Sequence, residues 1–82
     1  MKKNEFVVKH DRQADAIYIY MSKEQVAYTK QLDNLRYIDY SSNHTPIGIE
    51  LLCVSNGVIT DDLPFADDVT RILEGKHVNV CV

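Results

Sequence analysis

Short runs in which apolar and polar residues alternate fill the first two thirds of the sequence, and this alternation constrains the fold more than any other feature. In the clearest run, Ile17 and Ile19 point to one side while Tyr18 and Tyr20 point to the other. Alternation in a stretch rich in Ile and Tyr is typical of a β-strand. The alternating runs are Phe6–His10, Ala16–Met21, Val26–Leu32, Arg36–Tyr40 and Ile47–Val54. They predict a sheet of about five strands.

A single stretch after these runs has the period of a helix. Its apolar residues recur on one stripe, which consists of Phe65, Val69, Ile72 and Leu73. Pro64 suits the first helical turn, and Gly75 suits the left-handed position that ends a helix. A helix of roughly eleven residues is too short to be stable alone in water. We therefore expect it to pack its apolar stripe on one face of the sheet.

The polar cluster between the fourth and fifth runs predicts a hairpin. Asn tolerates the positive φ of tight turns, so we place Asn43-His44 at the two central turn positions. The resulting register pairs Tyr40 with Ile47, Ile38 with Ile49, and Arg36 with Leu51, which gathers the apolar residues on one face. The opposite face carries Leu35, Tyr37, Asp39, Gly48, Glu50 and Leu52.

These elements predict an α+β fold in which residues 1–82 form one domain. The expected architecture is an antiparallel meander of about five strands with one C-terminal helix packed on one face. The alternating tail Val78–Val82 predicts a short closing strand. At this length the core has to be compact, because a chain of this size buries only about 60% of the surface that its unfolded form exposes.

The charge distribution argues against nucleic-acid binding. Residues 1–40 carry 7 basic and 6 acidic groups, while residues 41–82 carry 2 and 6, and the net charge is −3. A nucleic-acid-binding protein usually has a basic stripe that displaces counterions from phosphates, and this sequence has none.

The two cysteines and the lack of long apolar stretches predict a cytoplasmic protein. Cys53 and Cys81 are too few for a disulfide framework, so we expect free thiols in a reducing compartment. Lys2 and Lys3 are not followed by a long apolar region, so we expect no signal peptide. No stretch approaches the roughly 20 apolar residues of a membrane span, and no membrane partner is expected.

Several motifs in fixed order resemble the domain of unknown function 2283 family. They are the run His10–Ile19, which contains Ala14-Asp15-Ala16, then Ile38-Asp39-Tyr40, Pro46–Leu52 and Asp62-Leu63-Pro64. The resemblance extends over about Lys9 to Val54. It implies a small α+β domain of bacterial origin with no established activity and no catalytic residues to transfer. Family members often have Asp-Gly in the hairpin turn where this chain has Asn43-His44.

The sharpest candidate for chemistry is the carboxylate pair Asp39 and Glu50. In the predicted register Asp39 lies opposite Gly48, and Glu50 is its diagonal neighbour on the same face. Two such carboxylates can share a proton or a divalent cation, and the glycine leaves room for a ligand. Structural carboxylates greatly outnumber catalytic ones, so solvation or pairing with a basic residue is the favoured interpretation.

The other polar groups favour structural roles. Asp11 and Asp15 flank a tight connection, where aspartates usually accept backbone hydrogen bonds within the turn. His77, Cys81 and Cys53 have none of the usual metal-ligand spacings. Cys53 shares the parity of Ile49 and Leu51 and is expected to be buried. The three glycines are scattered and form no Gly-rich loop, so no nucleotide site is predicted. Neither a metal nor another cofactor is expected.

The tyrosines predict an interaction surface. One short helix cannot cover both faces of a sheet, so an apolar, aromatic face is left open, and Tyr is enriched in interface cores. The candidate interface residues are Tyr18, Tyr20, Tyr37, Leu35 and Leu52. We expect a non-enzymatic module that self-associates as a homo-oligomer or binds a protein partner, through the tyrosine-bearing face or an exposed sheet edge. The alternatives are an antitoxin-like or regulatory subunit that neutralises a small basic toxin, and a small enzyme that uses Asp39 and Glu50.

Overall fold

The computed structural model describes residues 6–81 and contains a five-stranded antiparallel sheet, one helix and a small two-stranded parallel sheet. The large sheet consists of β1 (Val7–Asp11), β2 (Ala16–Tyr20), β3 (Tyr28–Asp33), β4 (Arg36–Tyr40) and β5 (Pro46–Leu52). A 3-10 turn (Val54–Asn56), β6 (Val58–Ile59), helix α1 (Ala66–Gly75) and β7 (Val80–Cys81) follow. The predicted α+β class with an antiparallel sheet and one C-terminal helix is confirmed.

The strand order in the large sheet is β1-β2-β5-β4-β3. β1 pairs with β2, and β3, β4 and β5 pair in sequence order. However, β2 pairs with β5 and not with β3, so the order is not sequential throughout. The reason is burial: Ile47, Ile49 and Leu51 make β5 the most buried strand, and a central position removes the most apolar area from water. The connection 21–27 carries the chain from β2 to the far edge.

One face of the sheet and α1 enclose the core. The buried side chains that meet there from β2, β4, β5 and α1 are Ile17, Ile19, Ile38, Ile49, Leu51, Val69 and Leu73. Each such side chain contributes about 1.5–3 kcal/mol relative to an exposed position. We call the opposite surface of the sheet the outer face. As expected from its length, α1 depends on this packing.

The β4–β5 hairpin has the predicted strand register but a different turn. Arg36 pairs with Leu51 and Ile38 with Ile49, as expected, whereas Tyr40 pairs with Pro46. The loop contains three residues, because Ser41 and Thr45 close it by a 2.9 Å backbone hydrogen bond, and only His44 has a positive φ (63°). An irregularity after Asp39 absorbs the extra residue and restores the pairing.

Both ends of α1 differ from the prediction. Phe65 is the N-cap with a φ of 56°, so Pro64 precedes the helix and does not lie in its first turn. At the other end Gly75 is still helical, and His77 takes the left-handed position with a φ of 61°. The N–H of Val78 donates to Leu73 O at 2.9 Å and that of His77 to Glu74 O at 3.1 Å. This pair of bonds is a Schellman motif.

Two side chains tie the C-terminal segment to the sheet. Arg36, whose side chain is 11% exposed, donates to the carbonyl oxygens of Ile59 (2.8 Å) and Asp61 (2.6 Å) and pairs with Asp33 (2.8 Å). Asp15 accepts hydrogen bonds from the N–H (3.0 Å) and hydroxyl (2.6 Å) of Ser55.

The turn between β1 and β2 confirms the prediction for Asp11 but not the one for Asp15. Asp11 accepts a hydrogen bond from the N–H of Ala14 at 3.0 Å, within the turn as expected. Asp15 instead uses its carboxylate on Ser55, which lies far along the chain. Asp15 has a left-handed backbone conformation, with a φ of 54°.

The burial predicted for Cys53 is wrong. The strand β5 ends at Leu52, and Cys53 takes a left-handed conformation (φ 52°) that breaks the alternation and exposes the side chain. The predicted closing strand is present as β7, which pairs in parallel with β6, while Val82 lies outside the described residues. Within residues 6–81, no helix has the length and apolar character needed to cross a membrane.

Candidate functional site

The strand register places all the predicted interface residues on, or at the margin of, the outer face. Two cross-strand rows run across it: Val7, Tyr20, Gly48, Asp39 and Thr29 in the first, and Lys9, Tyr18, Glu50, Tyr37 and Gln31 in the second. Asp11, Ala16 and Leu52 form a shorter third row, and Leu35 lies beside it because its carbonyl accepts a hydrogen bond from Leu52 N–H at 2.8 Å. The outer face thus combines apolar, aromatic and charged groups.

A hydrogen-bond network built on Asp39 organises the middle of this face. The Tyr18 hydroxyl donates to one oxygen of Asp39, and the Thr29 hydroxyl donates to the other at 2.5 Å. Tyr18 lies on β2 and Asp39 on β4, so the Tyr18 ring has to cross β5. It does so at Gly48, where an added Cβ would lie only 3.0 Å from Tyr18 Cζ. The missing side chain at Gly48 is therefore what allows the crossing.

The environment of Tyr18 favours the neutral phenol. Burial raises the pKa of Tyr18 far above its usual value, and the hydrogen bond to Asp39 together with that carboxylate's negative charge raises it further. The hydroxyl is thus a fixed donor over the physiological range. The hydrogen bond to Asp39 and the crossing over Gly48 position the Tyr18 ring on the outer face.

The structure brings Asp39 and Glu50 to the same face but gives them different surroundings. Asp39 is half-buried and both of its oxygens accept hydrogen bonds, whereas Glu50 is exposed and has no ion-pair partner among residues 6–81. The space over Gly48 that a ligand was expected to use is filled by the protein's own Tyr18. This arrangement uses Asp39 as a structural acceptor and leaves Glu50 as a surface charge.

An apolar corner occupies the end of the outer face near β1. Val7 is 63% exposed, Tyr20 41% and Val26 47%. Tyr20 packs on Tyr18 with ring centroids 4.4 Å apart. The corner surrounds a depression of about 370 Å³, whose rim includes Lys23 and Glu24. Large exposed side chains around a depression are typical of interaction surfaces.

The remaining predicted residues are less prominent. Tyr37 and Leu52 are half-buried, and Leu35 is exposed at the opposite end of the face. Leu35 and Leu52 line a separate, mostly apolar cleft of about 200 Å³ together with Cys81. Tyr28 and Tyr40 lie on the other side of the sheet and stack on each other at 5.1 Å.

The sheet edges are poorly suited to pairing with another strand. Edge strands often carry lysines and bulges that prevent edge-to-edge association. β1 contains Lys9, and β3 contains Lys30 and an irregularity between Gln31 and Asp33. These features disfavour edge-to-edge association of the sheet.

The structure offers no metal centre in the part of the chain that it describes. No group of three or more potential ligands from His, Cys, Asp and Glu occurs between residues 6 and 81. Cys53 and Cys81 are both free and exposed.

Some residues of the outer face were missed in the sequence. Thr29 binds Asp39, and Val7, Lys9 and Val26 contribute exposed groups. The alternation in Phe6–His10 places Val7 and Lys9 on one side, which was a usable signal. No local pattern indicated Val26, because it belongs to the connection between β2 and β3.

Comparison with known proteins identifies one family. The family model described as "Protein of unknown function (DUF2283)" matches residues 8–55, more than half of the chain. This segment runs from the second residue of β1 through β5 and contains Asp15, Ser55 and the Tyr18–Asp39 pair. No curated protein and no solved structure matches the chain significantly.

Proposed function

The chain belongs to the DUF2283 family of proteins of unknown function, and we propose that it is a non-enzymatic interaction module that self-associates through its outer face. The single observation that carries this proposal is the aromatic and apolar surface that α1 leaves uncovered. Exposed Val7, Tyr20 and Val26 surround a depression beside the fixed Tyr18 ring. Contact with a second copy would bury these groups and remove their apolar area from water.

The rigidity of the aromatic pair supports a docking role. Tyr18 is held by Asp39, and Tyr20 packs on Tyr18. A side chain that is already fixed loses little conformational entropy when a partner binds. Tyrosines held in this way are common energetic centres of interfaces.

The charge of the outer face supports a second copy as the occupant. Lys9 and Glu50 are both exposed, and neither makes an ion pair within residues 6–81. A surface that carries unpaired groups of both signs can be complementary to itself. The two free thiols suit a reducing compartment, so we include a cytoplasmic location in the proposal.

Sedimentation velocity at micromolar concentration tests the proposal. We expect the wild-type chain to sediment as a dimer and Tyr20→Arg to weaken association about 30-fold or more, the usual effect of removing an interface hot spot. Tyr28→Arg is a matched control, because Tyr28 is also 41% exposed and also packs on another tyrosine but lies on the other side of the sheet. A wild-type chain that is monomeric throughout this concentration range would refute the proposal.

A second candidate is a regulatory subunit that neutralises a small basic protein. Asp61 and Asp62 precede α1 and Asp67 lies in its first turn; all three are exposed and make no ion pairs within the described chain. An acidic surface attracts a basic partner and accelerates its association. Co-purification with a basic protein encoded by an adjacent reading frame, lost in a variant with these three residues changed to Asn, would favour this function.

A further inference from the structure

We infer that two copies associate face to face around a two-fold axis above β2, so that Lys9 of each copy pairs with Glu50 of the other. This inference rests on the proposed self-association and names the contacts that determine its geometry. It follows from the second cross-strand row of the outer face, in which Lys9, Tyr18 and Glu50 lie on three adjacent strands.

The symmetry of the row determines which groups meet. A two-fold axis that runs along β2 exchanges the strands on its two sides. β1 of one copy then faces β5 of the other copy, and the two β2 strands face each other. Lys9 then lies opposite Glu50 of the second copy, and the same contact occurs twice. Tyr18 and Tyr20 meet their own counterparts at the centre.

Other positions of the axis are less favourable. An axis above β5 would place Glu50 against Glu50 of the second copy, and juxtaposed like charges at an interface are repulsive. An axis between β2 and β5 would place Lys9 over Tyr37 and Glu50 over Tyr18, leaving both charges without an ionic partner. Among these axes parallel to the strands, the axis above β2 is the one that pairs the opposite charges.

The dimensions agree with this arrangement. Packed sheets lie about 10 Å apart, and a lysine and a glutamate that extend toward each other can span that separation. The side chain between them, Tyr18, is bent toward Asp39 across β5 and does not stand upright. The second copy can consequently approach β2 closely.

A charge-swap experiment tests the contact, with the dimer dissociation constant measured by sedimentation velocity at low and high salt. We expect Lys9→Glu and Glu50→Lys each to weaken the dimer by 10-fold or more, because each creates two repulsive contacts. The double variant Lys9→Glu/Glu50→Lys should return to within a few-fold of wild type. Higher salt should weaken the wild-type dimer and strengthen the single variants.

Matched controls separate this contact from a general effect of charge. Glu74 and Lys76 are exposed at the far end of α1, so Glu74→Lys and Lys76→Glu should leave the dissociation constant unchanged. Circular dichroism should show that every variant is folded, since neither Lys9 nor Glu50 has an ionic partner in the described chain.

The possible failures are distinguishable. A wild-type dimer that is indifferent to both single reversals, or single variants that dissociate without recovery in the double variant, would overturn the Lys9–Glu50 contact while leaving self-association in place. A monomeric wild-type chain would overturn the proposed function and this geometry together.

Discussion

Tyr18 donates a hydrogen bond to Asp39 across an intervening strand, over the one position in that strand that lacks a side chain, Gly48. This contact links β2 to β4 independently of the backbone ladder. The second oxygen of Asp39 binds Thr29 on the edge strand β3. The outer face is thereby held together by side chains over four adjacent strands.

Because of the Tyr18–Asp39 hydrogen bond, we expect the stability of the protein to decrease in the alkaline pH range. Because the folded state raises the pKa of Tyr18 above its ordinary value of 10.0, the phenol's contribution is fully present below about pH 10 and is lost as pH rises toward the folded-state pKa. We expect the free energy of unfolding of the wild type to fall more steeply above pH 10 than that of Tyr18→Phe. Urea unfolding measured at intervals from pH 8 to 11 checks this.

At neutral pH, Tyr18→Phe should lower the free energy of unfolding by about 1–2 kcal/mol. This is the range for a hydrogen bond to a charged group, reduced because the bond is partly exposed. Tyr37→Phe is the control, since no hydrogen bond from the Tyr37 hydroxyl occurs among the described residues. Parallel pH profiles for the wild type and Tyr18→Phe would contradict the assignment.

Gly48 should resist substitution because of Tyr18 and not because of its backbone. An added Cβ would lie 3.0–3.1 Å from carbons of the Tyr18 ring and nearer still to its hydroxyl. We expect Gly48→Ala to destabilise the protein by about 1–3 kcal/mol, as overpacking usually does. Thermal and urea unfolding measure the loss.

A double-mutant cycle isolates the cause. In a Tyr18→Ala background the ring is gone, so Gly48→Ala should become neutral or slightly stabilising, because Gly weakens a strand interior. An equal cost of Gly48→Ala in both backgrounds would show that the crowding is unrelated to Tyr18.

The strands and the helix were predictable because their signals are periodic and local. The alternation around Ile17 and Ile19 reflects one buried face, and the stripe containing Val69 and Leu73 reflects one helix contact. The register of β4 and β5 was also predictable, although two differences compensate: the loop is one residue longer than expected and an irregularity after Asp39 removes the offset.

The remaining features depend on contacts that are distant in sequence. The position of β5 between β2 and β4 is decided by burial in the assembled sheet. The bond between Asp15 and Ser55 joins residues 40 positions apart, and Tyr18 reaches Asp39 over 21 positions. The sequence identified Gly48 and Asp39 as neighbours on one face, but it did not indicate which side chain would fill the space.

The residue in the left-handed position at the C-terminal end of α1 is His77, whereas the sequence predicted Gly75. His77 occupies the left-handed position (φ 61°), which costs about 1–2 kcal/mol for a residue with a Cβ. Gly75 is helical, with no atom within 4 Å of an added Cβ. We therefore expect His77→Gly to stabilise the protein by about 1 kcal/mol, and Gly75→Ala to stabilise it by about 0.5–1 kcal/mol. Thermal unfolding of both variants measures the two effects. If Gly75 were the cap, Gly75→Ala would destabilise the chain instead.

Arg36 should control the attachment of the C-terminal segment to the sheet. Its planar guanidinium binds Asp33 and two backbone carbonyls at once, which the single ammonium of lysine cannot reproduce. Because the side chain is only 11% exposed, we expect Arg36→Lys to cost about 1.5–3 kcal/mol. Arg71→Lys is the control. The Arg71 side chain forms an ion pair with Asp68 but is 72% exposed, so this substitution should lower the free energy of unfolding by less than about 0.5 kcal/mol.

Hydrogen exchange locates the Arg36 effect in the structure. If Arg36 ties residues 59–61 to β4, its substitution should accelerate exchange at the amides of Val58 and Leu63, whose acceptors are Asn79 O and Thr60 O, more than in the β1–β2 hairpin. Uniformly faster exchange throughout the chain would mean that Arg36 stabilises the fold as a whole and does not hold this segment in particular. Unchanged exchange at Val58 and Leu63 would show that β6 and α1 are attached by the apolar core alone.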